Sequence, residues 1–200
     1  MKVTLLKVGV ILRKIKFGID IDGTITRPDT IIPFLNKDFG LQLKMEDIKE
    51  YDIRPHVNVE EDILNQWFRT NESHIYQQSP LNKWAKEVIS EWKDVGELYY
   101  ISARHTYLFD ITEQWFKNNC IPYHHIELTG SHNKISLIKK YNIDIFFEDK
   151  HDNAVQIGEE CHIPVILFNT SYNQGNVPTN VIRVNNWLEA DQWVKEEFKL

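Results

Sequence analysis

From position 80 onward, two hydrophobic rhythms alternate along the chain. Apolar residues recurring every three to four positions predict helices over 81–94, 107–119, 133–141, 153–161 and 187–198. Between them lie short apolar runs that predict strands over 97–101, 125–128, 143–147, 165–168 and 181–184. A further run, 17–21, stands well before them. Strands alternating with helices predict an α/β fold, a Rossmann-like three-layer α/β/α parallel sheet, with 17–21 as its first, central strand.

Residues 33–80 break this rhythm. They are helix-like, polar and rich in aromatics: Phe34, Phe39, Tyr51, Trp67, Phe68 and Tyr76. They predict a small helical cap inserted after the first strand, with 1–32 and 81–200 forming the core. Such a cap would lie above the carboxyl ends of the strands, where open α/β sheets bind ligands.

Charge adds an asymmetry to this picture. Five of the 23 basic residues (Lys2, Lys7, Arg13, Lys14, Lys16) fall in the first 16 positions, which hold no acid; the other 18 face 29 acids. An acidic body argues against a nucleic-acid binder. Lys7 and Arg13 interrupt the apolar start, so 1–15 reads as a peripheral extension rather than a targeting segment. No run reaches the roughly 18–20 apolar residues of a membrane span. Cys120 and Cys161 form no CxxC pair, which suits a reducing cytoplasm.

The candidate chemistry sits at four predicted strand ends. Asp20 and Asp22 end the first strand and share a face if that strand continues so far. Two carboxylates held close repel unless a cation or a shared proton lies between them. Gly23 allows a sharp turn after them, followed by Thr24. The second strand runs into Ser102, Ala103 and Arg104, where a hydroxyl and backbone N–H groups can bind a phosphate oxygen. Lys134 opens a helix and can neutralise a phosphate and an attacking carboxylate together. A fourth strand runs into Glu148, Asp149 and Asp152, hard oxygen donors of the kind Mg²⁺ takes beside a phosphate.

Each element has an ordinary alternative. The Asp20 turn, Ser102 and the Glu148-Asp149 pair could be helix caps, and Lys134 a solvated surface residue. Their order at successive strand ends is what argues for a site. His124, His125 and His151 lack the spacing of a zinc site, and Cys120 has no activating partner.

On these residues the chain resembles the haloacid dehalogenase (HAD) superfamily of phosphotransferases over nearly its whole length. Asp20-Ile21-Asp22-Gly23-Thr24 matches its first motif, Ser102 its second, Lys134 its third, and Glu148-Asp149 with Asp152 its acidic fourth. Within that superfamily it is similar to the 5′(3′)-deoxyribonucleotidase family, in the stretch from Asp20 to Asp29, the small cap, Ile101–Arg104 and Phe147–Ala154.

The resemblance implies a mechanism. Asp20 attacks phosphorus, and Asp22 serves as acid and then base. Mg²⁺ is held by Asp20, the main-chain carbonyl of Asp22 and Asp149, with Glu148 and Asp152 as further candidates. Thr24 and Ser102 orient the phosphate. Arg104 reaches phosphate or pairs with an acid on the sheet rim, and Arg27 contacts phosphate or cap. In the cap, Trp67, Phe68 and Tyr76 are candidates to stack on a nucleobase, or they form the cap's own core, while Phe34, just after the first motif, is better placed to face the site.

The expectation is a cytoplasmic, Mg²⁺-dependent phosphomonoesterase for a nucleoside monophosphate, with a deoxyribonucleotide foremost. Its partner is that small molecule, not nucleic acid or membrane, and a homodimer is left open. Two alternatives stand beside it: a phosphatase for a sugar phosphate or another small metabolite, and a non-catalytic nucleotide- or partner-binding module.

Overall fold

The computed structural model describes residues 13–200; Lys2, Lys7 and most of the proposed extension 1–15 lie outside the described residues. Six strands form one sheet: β1 (Ile15–Ile19), β2 (Gly96–Ser102), β3 (His125–Leu128), β4 (Ile145–Glu148), β5 (Val165–Phe168) and β6 (Val181–Val184). Their order is β3-β2-β1-β4-β5-β6, and every neighbouring pair is parallel. β1 is therefore central, as expected, and the chain leaves it once to each side.

Seven helices accompany the sheet: α1 (Ile32–Phe39), α2 (Glu61–Gln77), α3 (Ala85–Val95), α4 (Phe109–Asn119), α5 (Ile135–Tyr141), α6 (His151–Cys161) and α7 (Trp187–Phe198). Strand alternation sends successive residues to opposite layers. Phe17, Ile19, Leu98, Tyr100 and Phe147 join the larger core with Trp92 (α3), Trp115 (α4) and Trp187 (α7). Tyr99, Ile101, Phe146, Val165 and Leu167 join the second core with Ile138 (α5) and Ile157 (α6). The sheet is thus apolar on both faces, as parallel sheets require.

The first strand is shorter than its apolar run. β1 ends at Ile19, and residues 21–25 form one wide turn, closed by Thr26 N–H donating to the Ile21 carbonyl (3.0 Å), with non-helical backbone at Asp22 and Gly23. The expected alternation of Asp20 and Asp22 along a continuous strand is therefore replaced by a turn. After it, Thr26 bridges Leu81, Arg27 N–H donates to the Pro80 carbonyl (2.9 Å), and Asn82 N–H donates to the Ile25 carbonyl (2.8 Å). These contacts pinch the two ends of the intervening segment together. Within it, Leu35, Val57 and Leu64 form a small separate core, with Phe39, Trp67 and Phe68 packed around them. No strand lies between residues 27 and 80. Among the described residues no helix is long and apolar enough to cross a membrane.

Candidate active site

The carboxyl ends of β1, β2 and β4 and the start of α5 meet at one point. Asp20 continues β1 in extended conformation, and its N–H donates to the Phe147 carbonyl (2.9 Å). Gly23 then turns with φ +77°, and a Cβ there would lie 2.2 Å from Asp149 Oδ2. Glycine is needed both for the left-handed backbone and for the approach of that carboxylate.

Lys134 caps α5 and is almost wholly buried. Its Nζ donates to Asp20 Oδ1 (2.5 Å) and Glu148 Oε2 (2.8 Å). Carboxylate oxygens of Asp20, Glu148 and Asp149 lie within 4.8 Å of one another. Burial pushes the Asp20 carboxyl up to about 7, against the pull of Lys134, with Glu148 and Asp22 adding to the rise. Asp149 is raised well above the usual range, by burial first and then by Glu148 and Asp20. Burial weighs against the Lys134 ammonium, but Asp20 and Glu148 outweigh it, so Lys134 is held charged more firmly than a free lysine.

Ser102 ends β2, buried, with its Oγ accepting from Arg104 N–H (3.2 Å). Ser102, Ala103 and Arg104 line a polar cavity of about 250 Å³ together with Asp20, Asp22 and Lys134. The Arg104 side chain takes the second of the two roles open to it. Nε and Nη2 hold Asp22 Oδ2 (2.8 Å) and Oδ1 (2.7 Å), and Nη1 donates to Thr112. The Tyr76 ring covers the guanidinium, with its centroid 4.1 Å away.

A second cavity, about 280 Å³, adjoins the first beneath the cap. Asp22, Tyr51, Glu72 and Tyr76 line both. The second is mostly apolar, through Ile31, Ile32, Ile48, Ile53, Phe68 and Ile75.

Several proposed residues lie elsewhere. Thr24 is fully buried, its Oγ1 has no partner, and its carbonyl accepts from Trp187 Nε1; it lines neither cavity. Asp152 is exposed and paired with His151, apart from the three carboxylates. Phe34 packs edge-on against His74, and Trp67 packs on Phe39 and Phe68 while its Nε1 donates to Asp38. Trp67 packs around the cap's small core, and neither residue lines a cavity. Arg27 pairs with Asp29 but, unlike these, it lines the second cavity. Of the four cap aromatics, Phe68 and Tyr76 reach the cavities, and Tyr76 spends one face on Arg104.

Other residues enter without a sequence expectation. Glu72 is buried on α2, one turn before Tyr76, and accepts from the Tyr107 hydroxyl. Its four-residue spacing from Tyr76 places both on one helix face, a signal that could have found it. Tyr172 donates to Asp149 Oδ2. Tyr51 packs edge-on against Tyr172 and His132, under the Lys150 ammonium. No periodicity marks these loop positions.

The donor set suits a hard divalent cation. It consists of carboxylate oxygens, buried, with one ammonium among three acids, and Asp149 Oδ1 has no hydrogen-bond partner. An unpaired buried carboxylate oxygen is costly, and Mg²⁺ takes one or two such ligands beside a phosphate.

Residues 13–198 match the family described as 5′ nucleotidase, deoxy (Pyrimidine), cytosolic type C protein. "Putative nucleotidase YqfW" of Bacillus subtilis is 47% identical over 180 residues, which are 90% of this chain and 93% of that protein. A protein of Halalkalibacterium halodurans with the same description is 47% identical over 184 residues, 92% of this chain and 94% of its own. Among solved structures, a haloacid dehalogenase-like hydrolase from Streptococcus pneumoniae superposes with a TM-score of 0.64 at 14% identity, covering 90% of this chain and 98% of its own. The HAD-hydrolase YfnB from Bacillus subtilis, described as bound to magnesium, gives 0.63 at 12%, covering 92% and 100%. These two likenesses concern the fold. The chain belongs to the family of 5′ nucleotidase, deoxy (Pyrimidine), cytosolic type C protein and is a phosphomonoester hydrolase.

Proposed function

We propose that this hydrolase is Mg²⁺-dependent, acts on a nucleoside monophosphate with preference for a deoxyribonucleotide, and works in a cytoplasmic setting through a phosphoryl group carried on Asp20. One observation carries the reading: Asp22 lines both the polar cavity that holds Asp20 and Lys134 and the apolar cavity beside it. A phosphate in the first and a base in the second would put the sugar between them and its ester bond to the phosphate beside Asp22.

The residues then divide the work. An Asp20 oxygen attacks phosphorus in line; the new O–P bond forms as the bond to the leaving oxygen breaks. Lys134 offsets the charge of Asp20 and the incoming phosphate. Ser102 and the N–H of Ala103 bind phosphate oxygens. Asp22 gives a proton to the leaving oxygen, then takes one from the water that hydrolyses the Asp20 acyl phosphate. The ion pair with Arg104 orients the Asp22 carboxyl group. For the first half-reaction Asp22 must enter with a proton taken up from solvent, on an oxygen turned from the guanidinium toward the leaving group; it returns to the carboxylate as that proton passes to the leaving oxygen. When bound by Asp20, Asp149 and the Asp22 carbonyl, Mg²⁺ supplies positive charge against the phosphate.

The apolar lining favours a base over the many hydroxyls of a sugar phosphate, which would lose hydrogen bonds there. Both cysteines are unpaired, which supports the cytoplasmic setting. The test is phosphate release from dUMP, dTMP, UMP and a set of sugar phosphates. Preference for a deoxyribonucleotide is expected, and a sugar phosphate turned over faster than every nucleotide would overturn the substrate reading. Nucleotide binding without turnover of any phosphomonoester would overturn the mechanism.

A further inference from the structure

The loop after β5 grips Asp149 through groups that the proposed reaction does not use. The Tyr172 hydroxyl donates to Asp149 Oδ2. The neighbouring Asn173 is buried, and its Nδ2 donates to the main-chain carbonyls of Asp149 (2.6 Å) and Phe168 (2.7 Å). One amide thus ties the end of β4 to the end of β5. Asn173 Oδ1 is held in turn by Arg183 Nη1 (2.7 Å) from β6 and by Thr170 N–H (3.1 Å). Arg183 is itself anchored, with Nη2 donating to the Gly175 carbonyl (2.9 Å). From the opposite side, the bare backbone of Gly23 leaves room for the carboxylate; a Cβ there would also come within 3.1 Å of the Tyr172 hydroxyl.

The two oxygens of Asp149 are therefore unlike. Oδ2 is pinned by a hydroxyl donor, while Oδ1 is buried without a partner. A ligand that must offer one oxygen gains from having the other fixed, because the carboxylate then need not be ordered when the ion arrives.

We propose that Tyr172 and Asn173 are positioning residues for a divalent cation, fixing Asp149 so that Oδ1 faces it. This rests on the reading of Asp20 and Asp149 as cation ligands. Arg183 acts one step further away, by holding Asn173.

Mn²⁺ titration of the full chain, with free Mn²⁺ counted by electron paramagnetic resonance, tests this without reference to turnover. Tyr172→Phe keeps the ring and removes the donor; it should raise the Mn²⁺ dissociation constant about 10- to 100-fold. Arg183→Met should raise it by a smaller factor, and Asp149→Asn by at least as much as Tyr172→Phe. Melting in EDTA checks that each variant folds, and should Tyr172→Phe fail that check, Arg183→Met carries the decision. Wild-type affinity in the folded variants overturns the proposal alone. A wild-type protein that binds no Mn²⁺ overturns the cation reading and this proposal with it.

Discussion

At the strand ends Asp20, Lys134, Glu148 and Asp149, each at most 5% exposed, crowd one point. The cavity beside them is walled by isoleucines and Phe68, under a cap whose own core is three buried side chains. The first region concentrates charge where charge is costly; the second buries apolar surface in the ordinary way. On the proposed function the contrast separates chemistry from selection: the floor would hold reacting groups at a price in stability, and the cap would offer shape and apolar surface to a leaving group while stabilising itself.

The largest expected effect is on the floor. Asp20→Asn should lower phosphate release on the order of 10⁴-fold or more, as loss of a nucleophile does. Activity within tenfold of wild type would remove Asp20 from its role. EDTA should likewise abolish turnover, with Mg²⁺ restoring it; full activity after exhaustive chelation would end the metal dependence.

Asp22→Asn should cost about 10²–10⁴-fold on a nucleotide. The loss should be much smaller on p-nitrophenyl phosphate, whose leaving phenolate needs little help from a proton. Equal losses on both substrates would mean that Asp22 acts on something other than the leaving group.

A pH experiment asks whether the floor is costly. Asp20 titrates near 7 in the fold against 3.8 for a free carboxyl. The native state then binds the proton more tightly than the unfolded chain between these values, so the wild type loses stability as pH rises through that window. In EDTA, urea melts of wild type and Asp20→Asn should show the wild type losing roughly one to a few kcal/mol relative to the variant from pH 4 to pH 7. A difference that stays constant with pH would show that Asp20 carries no such burden.

The cap should show the smallest and the opposite effects. Phe68→Ala should raise KM for a nucleotide about tenfold, consistent with roughly 1–3 kcal/mol per stacked base, and leave p-nitrophenyl phosphate nearly unchanged. Trp67→Ala should lower stability by roughly 1–3 kcal/mol with KM little altered. If the two variants exchanged phenotypes, the division between cavity wall and cap interior drawn here would be wrong.

Much of the fold could be read from the chain because burial on both faces leaves a plain signature. The apolar runs at β3, β5 and β6 coincide with the observed strands, and the run at α7 with its helix. The candidate site was legible where a proposed site residue follows such a run directly: Asp20 after β1, Ser102 at the end of β2, Asp149 after β4. It was not legible for Tyr51, Glu72, Tyr172 and Asn173. Three of these stand in loops without period, and Glu72 lies on a helix whose orientation is set by packing. Thr24 and Trp67 have suitable chemistry, but tertiary packing turns one into the core and the other into the cap.

The sequence by itself determined the layered sheet, the central place of β1 and the gathering of Asp20, Ser102, Lys134 and Asp149, since parallel strands bring their carboxyl ends to one edge. The tertiary structure alone decided how these groups pair: Asp22 with Arg104, Lys134 between Asp20 and Glu148, Asp149 with Tyr172. Those pairings join residues as far as 114 positions apart. Local periodicity specifies which face a side chain leaves from; only the packed fold specifies what it meets.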